Sequence, residues 1–490
     1  MNRPSSGALW LRLAFLVYVV GILFYRDSIM DDTFIHLQYA RHLREQGMLA
    51  FNAGEPSLGA TSPLWLLLLA GLGATEIAAR LLSVACGAFS IWLFALQARR
   101  FCGSLAAAAT IAWAGNLWLL RHAPNGMEST CAVFLVLLAF ELRARAPSRG
   151  RDAMLGLVLA AVCLVRPELA LLPLLFFTAD LVRPGRFTRL RLWLPLCLLP
   201  CVAWGLYAWS QVGHVVPDTV SAKSGGPAAL AWIAVLRRSL AMVGIAHPVE
   251  GVAIVVALFV QLRRLRSRAV LGAFRHPLAP HVLLALLLVL AYAVLDVQVQ
   301  PRYLLPVLPA VTLLGCIAWR AVWGGGSRAA VSFVALCLVA TFTASALRVL
   351  PATRAYSQAL RPALVSLVQE VEARSPGRAS VATPDIGIVG YYGHVHVVDL
   401  GGLVDPRAQE IQNRLGYDEM LRSGAFLDLG PVDFVIDRDR ERERFAGHVC
   451  RDRRWTPLRT TSIPNLGLSR PGPFFYTLYA LERTNGSSPP

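Results

Sequence analysis

The chain has 490 residues, of which 56% are hydrophobic and only 16% are charged, and its mean hydropathy is +0.52. Ordinary soluble domains carry about 25% charged residues, so this composition excludes a single large soluble core and indicates a protein that crosses a membrane many times. The net charge of +17 comes almost entirely from arginine, because Lys223 is the only lysine. The arginines stand in short clusters between apolar runs, as the positive-inside rule describes, which argues against a nucleic-acid-binding surface.

Eleven apolar runs are each predicted to cross the membrane, because about 20 apolar residues span its hydrocarbon core. The run over residues 63–98 is long for one crossing and short for three, so we interpret it as one long or broken element. The runs are residues 8–25, 63–98, 103–121, 127–142, 153–166, 168–182, 192–209, 248–262, 280–297, 303–322 and 329–349.

The arginine clusters mark the cytoplasmic side, which gives four loops and the C-terminal tail an outside position, in the periplasm of a bacterial inner membrane. These loops are residues 26–62, 122–126, 210–247 and 298–302. Beyond about residue 350 the charge rises and strand-like segments appear at 379–382, 396–400 and 433–437, with helical periodicity over 361–373. We predict a polytopic α-helical membrane domain over residues 1–349 and a periplasmic α/β domain over residues 350–490.

Two adjacent acids, Asp31 and Asp32, follow the first apolar run. Apolar residues then recur at near-helical spacing over residues 34–43, which predicts a short amphipathic helix at the membrane interface. Carboxylates are favoured at the start of a helix by its dipole, so an ordinary capping role is the alternative for one of the acids. Two acids at the mouth of a crossing favour chemistry at the membrane face.

We expect no cofactor and no metal. The nine cysteines lie mostly inside apolar runs and include no C-x-x-C pair, so a zinc site is not predicted. His36 and His42 lie near the two acids, but a metal site needs more converging ligands. His394 and His396 flank a predicted strand and are interpreted as structural.

The polar segments after the acid pair carry a family resemblance. The loop continues with Phe-Asn-Ala-Gly-Glu-Pro at 51–56 and with Gly-Ala-Thr-Ser-Pro-Leu-Trp at 59–65. Together with Asp31-Asp32 this order resembles the first loop of the GT-C membrane glycosyltransferases that use polyprenyl-phosphate sugars. It is most similar to the mycobacterial terminal arabinofuranosyltransferase type, which adds β-(1→2)-arabinofuranose caps to cell-wall glycans. Gln38 stands where that family commonly has arginine, and Ala60 where it commonly has tyrosine; sugar or acceptor choice would change at such positions.

The resemblance continues in the same order along the chain. Asp218 stands where the family has asparagine, in the loop that ends at Lys223. The Asp-Ile-Gly-Ile-Val-Gly-Tyr-Tyr segment of the tail, at 385–392, resembles a D-x-G-x-x-G-Y-Y pattern. The matching segments are residues 125–129, 164–168, 216–223, 301–306, 384–392 and 398–406.

The resemblance implies the site residues. Asp31 and Asp32 would be catalytic, with Asp31 preferred as the acting carboxylate because it matches the first acid of the pattern. Arginine binds phosphate in a bidentate way, so outside-facing cations would meet the donor phosphate. Alternatives stay open: snorkelling for Arg302, pairing with Glu168 or Glu128 for Arg166, and plain solvation for Lys223. The implied substrate- or donor-binding residues are Arg302, Lys223, Arg166, Glu128, Glu55, Asn52 and Tyr303.

The expected function is transfer of arabinofuranose, or a related pentose, from a polyprenyl-phosphate carrier to a periplasmic cell-envelope glycan or surface-protein acceptor. One acid would deprotonate the acceptor hydroxyl while Arg302 or Lys223 meets the charge of the leaving phosphate. A carboxylate nucleophile with retention of configuration is a second route. The tail would bind acceptor glycan, or its Asp385, Asp399 and Asp405 would be turn and cap residues. Alternatives for the whole protein are a hexose- or mannose-transferring GT-C enzyme, and a lipid-linked sugar transporter or flippase, which inverted repeats would favour.

Overall fold

The computed structural model describes residues 6–182, 187–217, 231–262, 276–377 and 379–484. The chain forms two compact units. The first comprises Met1–Arg26, Ala79–Trp204 and Ser224–Leu350, and the second comprises Asp27–Ala78, Gly205–Lys223 and Pro351–Pro490. The second unit therefore joins the first predicted loop to the C-terminal tail, although most of the first unit lies between them in sequence.

The first unit is helical. Short 3₁₀ turns at Ala123–Asn125, Pro167–Ala170 and Leu305–Val307 separate some of its helices. In chain order the helices are Ser6–Phe24, Glu76–Phe101, Ala106–Ala114, Leu117–His122, Ser129–Ala144, Arg149–Val165, Leu171–Leu181, Phe187–Val212, Ala231–Ala246, Pro248–Leu262, Ala279–Val294, Pro301–Leu304, Leu308–Trp323 and Ser327–Ala344.

Several of these helices are long and apolar enough to cross a membrane. Among the described residues five segments meet that length and composition, and a sixth results if Trp232–Ala246 and Pro248–Val260, which meet at 107°, form one broken span. Ala8–Phe24 and Ala279–Val294 are shorter apolar helices. The prediction of a helical membrane protein is confirmed, while the count of eleven crossings and the periplasmic side of the tail stay predictions.

Two predicted runs are interrupted. The run 63–98 consists of the helices Pro63–Gly71 and Glu76–Phe101, and Gly73 between them has a φ of 94°, which glycine adopts without strain. The run 103–121 breaks before Asn116, whose side chain accepts the N–H groups of Trp118 and Leu119 and so caps the next helix. The loop predicted at 210–247 also contains the helix Ala231–Ala246, which the hydropathy pattern missed because two arginines interrupt its apolar run.

The tail is an α/β domain with one six-stranded sheet. Its strands are β1 (Ser380–Thr383), β2 (His396–Asp399), β3 (Phe434–Asp439), β4 (Val449–Cys450), β5 (Arg453–Asn465) and β6 (Pro471–Arg483). Their order is β2-β1-β3-β6-β5-β4, with β2, β1 and β3 parallel and the rest antiparallel. Strands β1, β2 and β3 confirm the three predicted segments. The β5–β6 hairpin was not predicted, since β5 is half exposed and rich in arginine, threonine and proline.

Helices complete the second unit and place the polar segments. The predicted helix over 361–373 lies inside the longer helix Leu350–Arg374. The connection from β1 to β2 is the short helix Ile386–Tyr392, and two further helices follow β2. The remaining helices of this unit are Asp31–Gln46, Pro63–Gly71, Pro406–Leu415 and Tyr417–Arg422. Because the motifs of the first loop and of the tail fall on or beside these short helices, the second unit determines the geometry of those motifs.

Trp455 is the centre of the tail's apolar core. Its fully buried indole ring lies 4.9 Å from the ring of Phe445 and 5.3 Å from that of Tyr479. Replacing a buried tryptophan by alanine costs about 3–5 kcal/mol. We expect Trp455→Ala in the full-length protein to speed amide hydrogen exchange in β3 and β6. Val449→Ala, at a 50% exposed position of β4, is the control and should leave exchange unchanged. Equal protection in the two variants would contradict this core assignment.

Candidate active site

The predicted helix after the first crossing is present and begins at Asp31, as Asp31–Gln46; we name it the acid-pair helix. Its N-cap is Met30, whose side chain makes no capping hydrogen bond. Asp31 therefore acts as more than a local cap. Its carboxylate accepts the N–H of Gly387 at 2.9 Å through Oδ2 and the N–H of Ile388 at 2.7 Å through Oδ1.

The two acids have different environments. Asp31 is buried, with 7% of its surface exposed, and both of its carboxylate oxygens accept backbone N–H groups from the short helix Ile386–Tyr392. Asp32 is half-buried, and its backbone oxygen lies 2.9 Å from Nδ1 of His36. The more accessible carboxylate of the pair is therefore that of Asp32.

Two glycines of the tail motif allow the close approach of the acid-pair helix and its loop. A Cβ atom on Gly387 would lie 2.1 Å from the carbonyl oxygen of Asp31, and one on Gly390 would lie 2.6 Å from Cζ of Phe51. Real Cβ atoms do not approach other atoms so closely, so this contact requires glycine at both positions. The segment at 385–392 and the loop at 31–56 resemble separate family motifs, and the structure brings them together.

Aromatic residues and one arginine extend the same contact. The ring of Phe34 lies 5.4 Å from that of Tyr391 and 5.3 Å from that of Tyr392. The guanidinium of Arg41 lies 4.2 Å from the centre of the Tyr391 ring and donates to the Tyr391 carbonyl oxygen at 3.1 Å. Aromatic pairs and arginine–ring contacts of this kind each contribute about 0.5–1.5 kcal/mol. The short helix is thus held along its whole length.

Gln38 has a structural role that the sequence pattern did not indicate. The buried side chain donates to the carbonyl oxygen of Phe51 at 3.3 Å, and one turn later His42 Nδ1 lies 3.0 Å from the carbonyl oxygen of Ala50. Tyr39 Oη contacts Oγ of Ser57 at 2.8 Å. These contacts fix the polar loop after residue 49 against the acid-pair helix.

Asp385 is a functional candidate for which the sequence left open either glycan binding by the tail or a turn role. Both of its carboxylate oxygens accept hydrogen bonds from Arg438, at 2.7 and 2.6 Å, and Tyr476 donates to it at 2.7 Å. Burial, and next the charge of Asp385, raise the pKa of Asp31 to about 7, against the opposing effect of the two N–H groups. Asp385 lies in the matched segment 384–392, but nothing in the sequence connects it with Arg438 or Tyr476.

Asp399 and Asp405, the other two acids singled out in the tail, are turn and cap residues, which was one of the two expectations. Asp399 accepts the N–H groups of Gly401 and Val404, both at 2.7 Å, and burial raises its pKa to about 6. Asp405 accepts the N–H of Arg407 at 3.0 Å and so caps the helix Pro406–Leu415.

Asn52 and Glu55 lie together on the loop side of the second unit. Asn52 accepts the N–H of Val397 and donates to the carbonyl oxygen of Val397, both at 3.0 Å. A carboxylate oxygen of Glu55 lies 3.0 Å from Nε2 of His396. These two predicted binding residues therefore meet strand β2, which makes His396 part of the polar surface.

Four predicted residues form a cluster in the first unit; we name it the arginine cluster. Arg166 donates to Glu128 at 3.2 Å and, through Nε, to Glu168 at 2.8 Å. It also donates to the carbonyl oxygen of Arg302 at 3.3 Å. The guanidinium groups of Arg166 and Arg302 lie 4.9 and 5.3 Å from the centre of the Tyr303 ring.

The arginine cluster unites three separate sequence motifs. Arg166 and Arg302 are both buried. Arg166 forms ion pairs with both Glu128 and Glu168, the two partners that the sequence suggested for it. Tyr292, which sequence reasoning missed, donates to Glu168 at 3.0 Å. Lys223 and Asp218 lie outside the described residues. Within the described part of the chain, no three histidine, cysteine, aspartate or glutamate side chains converge as metal ligands would.

Comparison with known proteins adds the fold family. A family described only as a domain of unknown function (DUF8728) matches residues 352–479. No curated protein matches the chain. Among solved structures, the arabinofuranosyltransferase AftD from mycobacteria has a TM-score of 0.52 at 13% identity, over 97% of this chain and 40% of that one. This chain thus spans well under half of AftD.

Two further solved structures are similar. The oligosaccharyltransferase AglB from Archaeoglobus fulgidus, solved with an inhibitory peptide and a dolichol-phosphate, has a TM-score of 0.50 at 11% identity, over 87% of this chain and 69% of that one. ArnT from Cupriavidus metallidurans has a TM-score of 0.48 at 17% identity, over 86% and 78%. All three are GT-C glycosyltransferases.

This chain has the GT-C fold. The resemblance inferred from the motifs is thereby confirmed. At these identities the likeness concerns the fold, and the GT-C fold by itself selects neither a sugar nor an acceptor.

The contact at Gly387 is directly testable. We expect Gly387→Ala to destabilise the second unit because the added Cβ collides with the backbone of Asp31. Overpacking of this kind costs about 1–3 kcal/mol, which should lower the temperature of thermal unfolding in detergent. The matched control is Gly71→Ala, since a Cβ there meets nothing within 4 Å. Equal unfolding temperatures for the two variants would contradict the contact.

The pKa of Asp31 gives a pH dependence of known sign. Folding raises this pKa from 3.8 to about 7, so the folded protein keeps a proton that the unfolded chain releases. Stability from Asp31 is therefore complete below about pH 4 and falls as the pH rises to 7, by at most ~4 kcal/mol at 1.36 kcal/mol per unit. Unfolding measured from pH 4 to 8 should show a smaller decline in Asp31→Asn than in wild type. Parallel curves would refute this assignment; Asp399 contributes equally to both.

Proposed function

We propose that this protein is a glycosyltransferase that moves a pentose, arabinofuranose, from a polyprenyl-phosphate carrier to a cell-envelope glycan at the periplasmic face of the bacterial inner membrane. The observation that carries the proposal is the acid pair, with Asp31 held by two N–H groups and Asp32 more accessible. The GT-C fold supports the reaction class. The motif resemblance supports the sugar.

We assign the acting role to Asp32 and a positioning role to Asp31, the reverse of the preference drawn from the motif alone. Both oxygens of Asp31 already accept hydrogen bonds in a buried place, so it is poorly suited to approach a substrate. Asp32 follows it on the same helix and is carried to a defined position by that anchor. Holding a catalytic group by buried neighbours is what efficient general-base catalysis requires.

In the proposed step, Asp32 takes the proton of an acceptor hydroxyl. The acceptor oxygen forms a bond to the anomeric carbon, the bond from that carbon to the phosphate oxygen breaks, and polyprenyl phosphate leaves with the electron pair. Phosphate needs no general acid when a cation meets its charge. From the motif resemblance we assign this task to Arg302. Arg166 then positions Arg302 through its carbonyl oxygen. Lys223 is a further candidate from the motif resemblance.

The decisive assay uses membranes that contain the full-length protein and radiolabelled polyprenyl-phosphate arabinofuranose. We expect Asp32→Asn to lower transfer by about 10²–10⁴-fold, the usual contribution of a general base. Asp31→Asn should lower transfer and stability together, because one of its two N–H partners loses an acceptor. Glu45→Gln, which neutralises an exposed acid on the same helix, is the matched control and should behave as wild type.

Each other outcome is informative. Full activity in Asp32→Asn with loss only in a stable Asp31→Asn would reverse the two roles. Full activity in both would refute the carboxylate mechanism. Transfer by wild type from a hexose carrier but not from the pentose carrier would overturn the sugar assignment. The anomeric configuration of the product tells whether Asp32 acts as a base or as a nucleophile.

A further inference from the structure

The second unit contains a polar cleft of about 660 Å³ that the proposed reaction does not use. It is lined by the loop over residues 51–57, by strand β2 and by the start of the helix Pro406–Leu415. Residues of the segment 429–433 line it as well. The volume falls within the range of small-molecule sites, about 300–1,000 Å³.

The cleft is rich in planar polar groups. Glu55 contacts His396 at 3.0 Å, and its side chain is 59% exposed. Arg407 pairs with Asp405 at 2.6 Å and donates to the carbonyl oxygen of Leu429 at 2.9 Å, and its side chain is 60% exposed. Glu55 and Arg407 thus offer a charged acceptor and a charged donor to a ligand that enters from solvent. Hydrogen bonds to charged groups are stronger than those between neutral groups.

The charges of the cleft select against anions. Its lining includes the carboxylates of Glu55, Asp405 and Asp433, and Asp405 already engages the guanidinium of Arg407 through both oxygens. Because these three carboxylates face a single guanidinium, the charge balance of the cleft is negative. A phosphate or a uronic acid would face repulsion, whereas an uncharged ligand with many hydroxyl groups finds both acceptors and donors.

The walls of the cleft are held in place before any ligand arrives. Asn52 bridges the loop to β2 through paired hydrogen bonds with Val397, both 3.0 Å long. Gln38 fixes the neighbouring carbonyl oxygen of Phe51 from the acid-pair helix. A site that is ordered in advance loses less entropy on binding, which raises its affinity. The arrangement is that of a binding surface carried on rigid elements.

The cleft lies beside the acid-pair helix but away from its start. Gln38, which holds the cleft wall, is seven residues beyond Asp31, roughly 10 Å along a helix that rises 1.5 Å per residue. The lining of the cleft includes no residue of the acid-pair helix, so we assign its ligand to the acceptor chain and not to the sugar that reacts.

We propose that this cleft binds an uncharged stretch of the acceptor polysaccharide, several sugar units from the hydroxyl that is modified. The assignment of the ligand as acceptor rests on the proposed function, whereas binding of a neutral glycan is measurable without any transfer. Asn52, Glu55, His396 and Arg407 are its proposed contacts.

The test measures binding of a neutral arabinofuranose hexasaccharide to the full-length protein in detergent, by isothermal titration calorimetry. We expect Arg407→Ala and the nearly isosteric Glu55→Gln each to weaken binding by about tenfold or more. Arg414→Ala, on the same helix but outside the cleft, is the matched control and should bind as wild type. A hexasaccharide of galacturonic acid should bind at least tenfold more weakly than the neutral probe.

Three results would overturn the proposal: no binding of the neutral probe at millimolar concentration, binding that neither cleft variant alters, or binding of the acidic probe as tight as that of the neutral one. The Asp32→Asn variant separates this proposal from the reaction. Normal binding by that variant, in a protein whose wild type transfers no sugar, would refute the proposed function and leave the cleft standing. Active transfer together with absent binding would refute the cleft alone.

Discussion

The carboxylate of Asp31 accepts two N–H groups from the first turn of a short helix that lies some 350 residues further along the chain. Burying a carboxylate costs several kcal/mol, which only an equally specific set of hydrogen bonds offsets. That requirement explains the absent side chain at Gly387 and the close packing of Gly390 on Phe51. It also ties the first loop to the tail within one compact unit.

The same contact gives the adjacent acids different properties. The carboxylate of Asp31 is buried, accepts two backbone hydrogen bonds and has a raised pKa, whereas Asp32 is half-buried. Environments that separate two neighbouring carboxyl groups are a familiar way of assigning them different roles. In the first unit, Arg166 engages two glutamates and donates to the carbonyl oxygen of Arg302, the cation that we propose for the phosphate. Each unit therefore pairs a positioning residue with a proposed acting residue.

Sequence patterns predicted the parts of the fold that depend on local order. Hydropathy located several long apolar helices, and strand-like segments anticipated β1, β2 and β3. The acid-pair helix begins at the acids, as its periodicity indicated. The same patterns failed where local signals conflict. Two arginines interrupt the hydropathy signal of the helix Ala231–Ala246. Threonine, arginine and proline weaken the strand pattern of β5, so the long β5–β6 hairpin was not predicted. The motif resemblance identified the residues of the arginine cluster but missed Tyr292, since no motif contains it.

The sequence by itself determined a polytopic helical protein with a GT-C resemblance, a mixed tail and a pair of acids at the start of a helix, because composition, periodicity and motif order are properties of the chain. Only the tertiary structure decided which acid is buried, why the tail has its two glycines, and where Asn52, Glu55 and His396 meet. Those answers depend on contacts between residues hundreds of positions apart. Burial and hydrogen bonding depend on which residues are close in space, and a local sequence pattern does not specify contacts between distant parts of the chain.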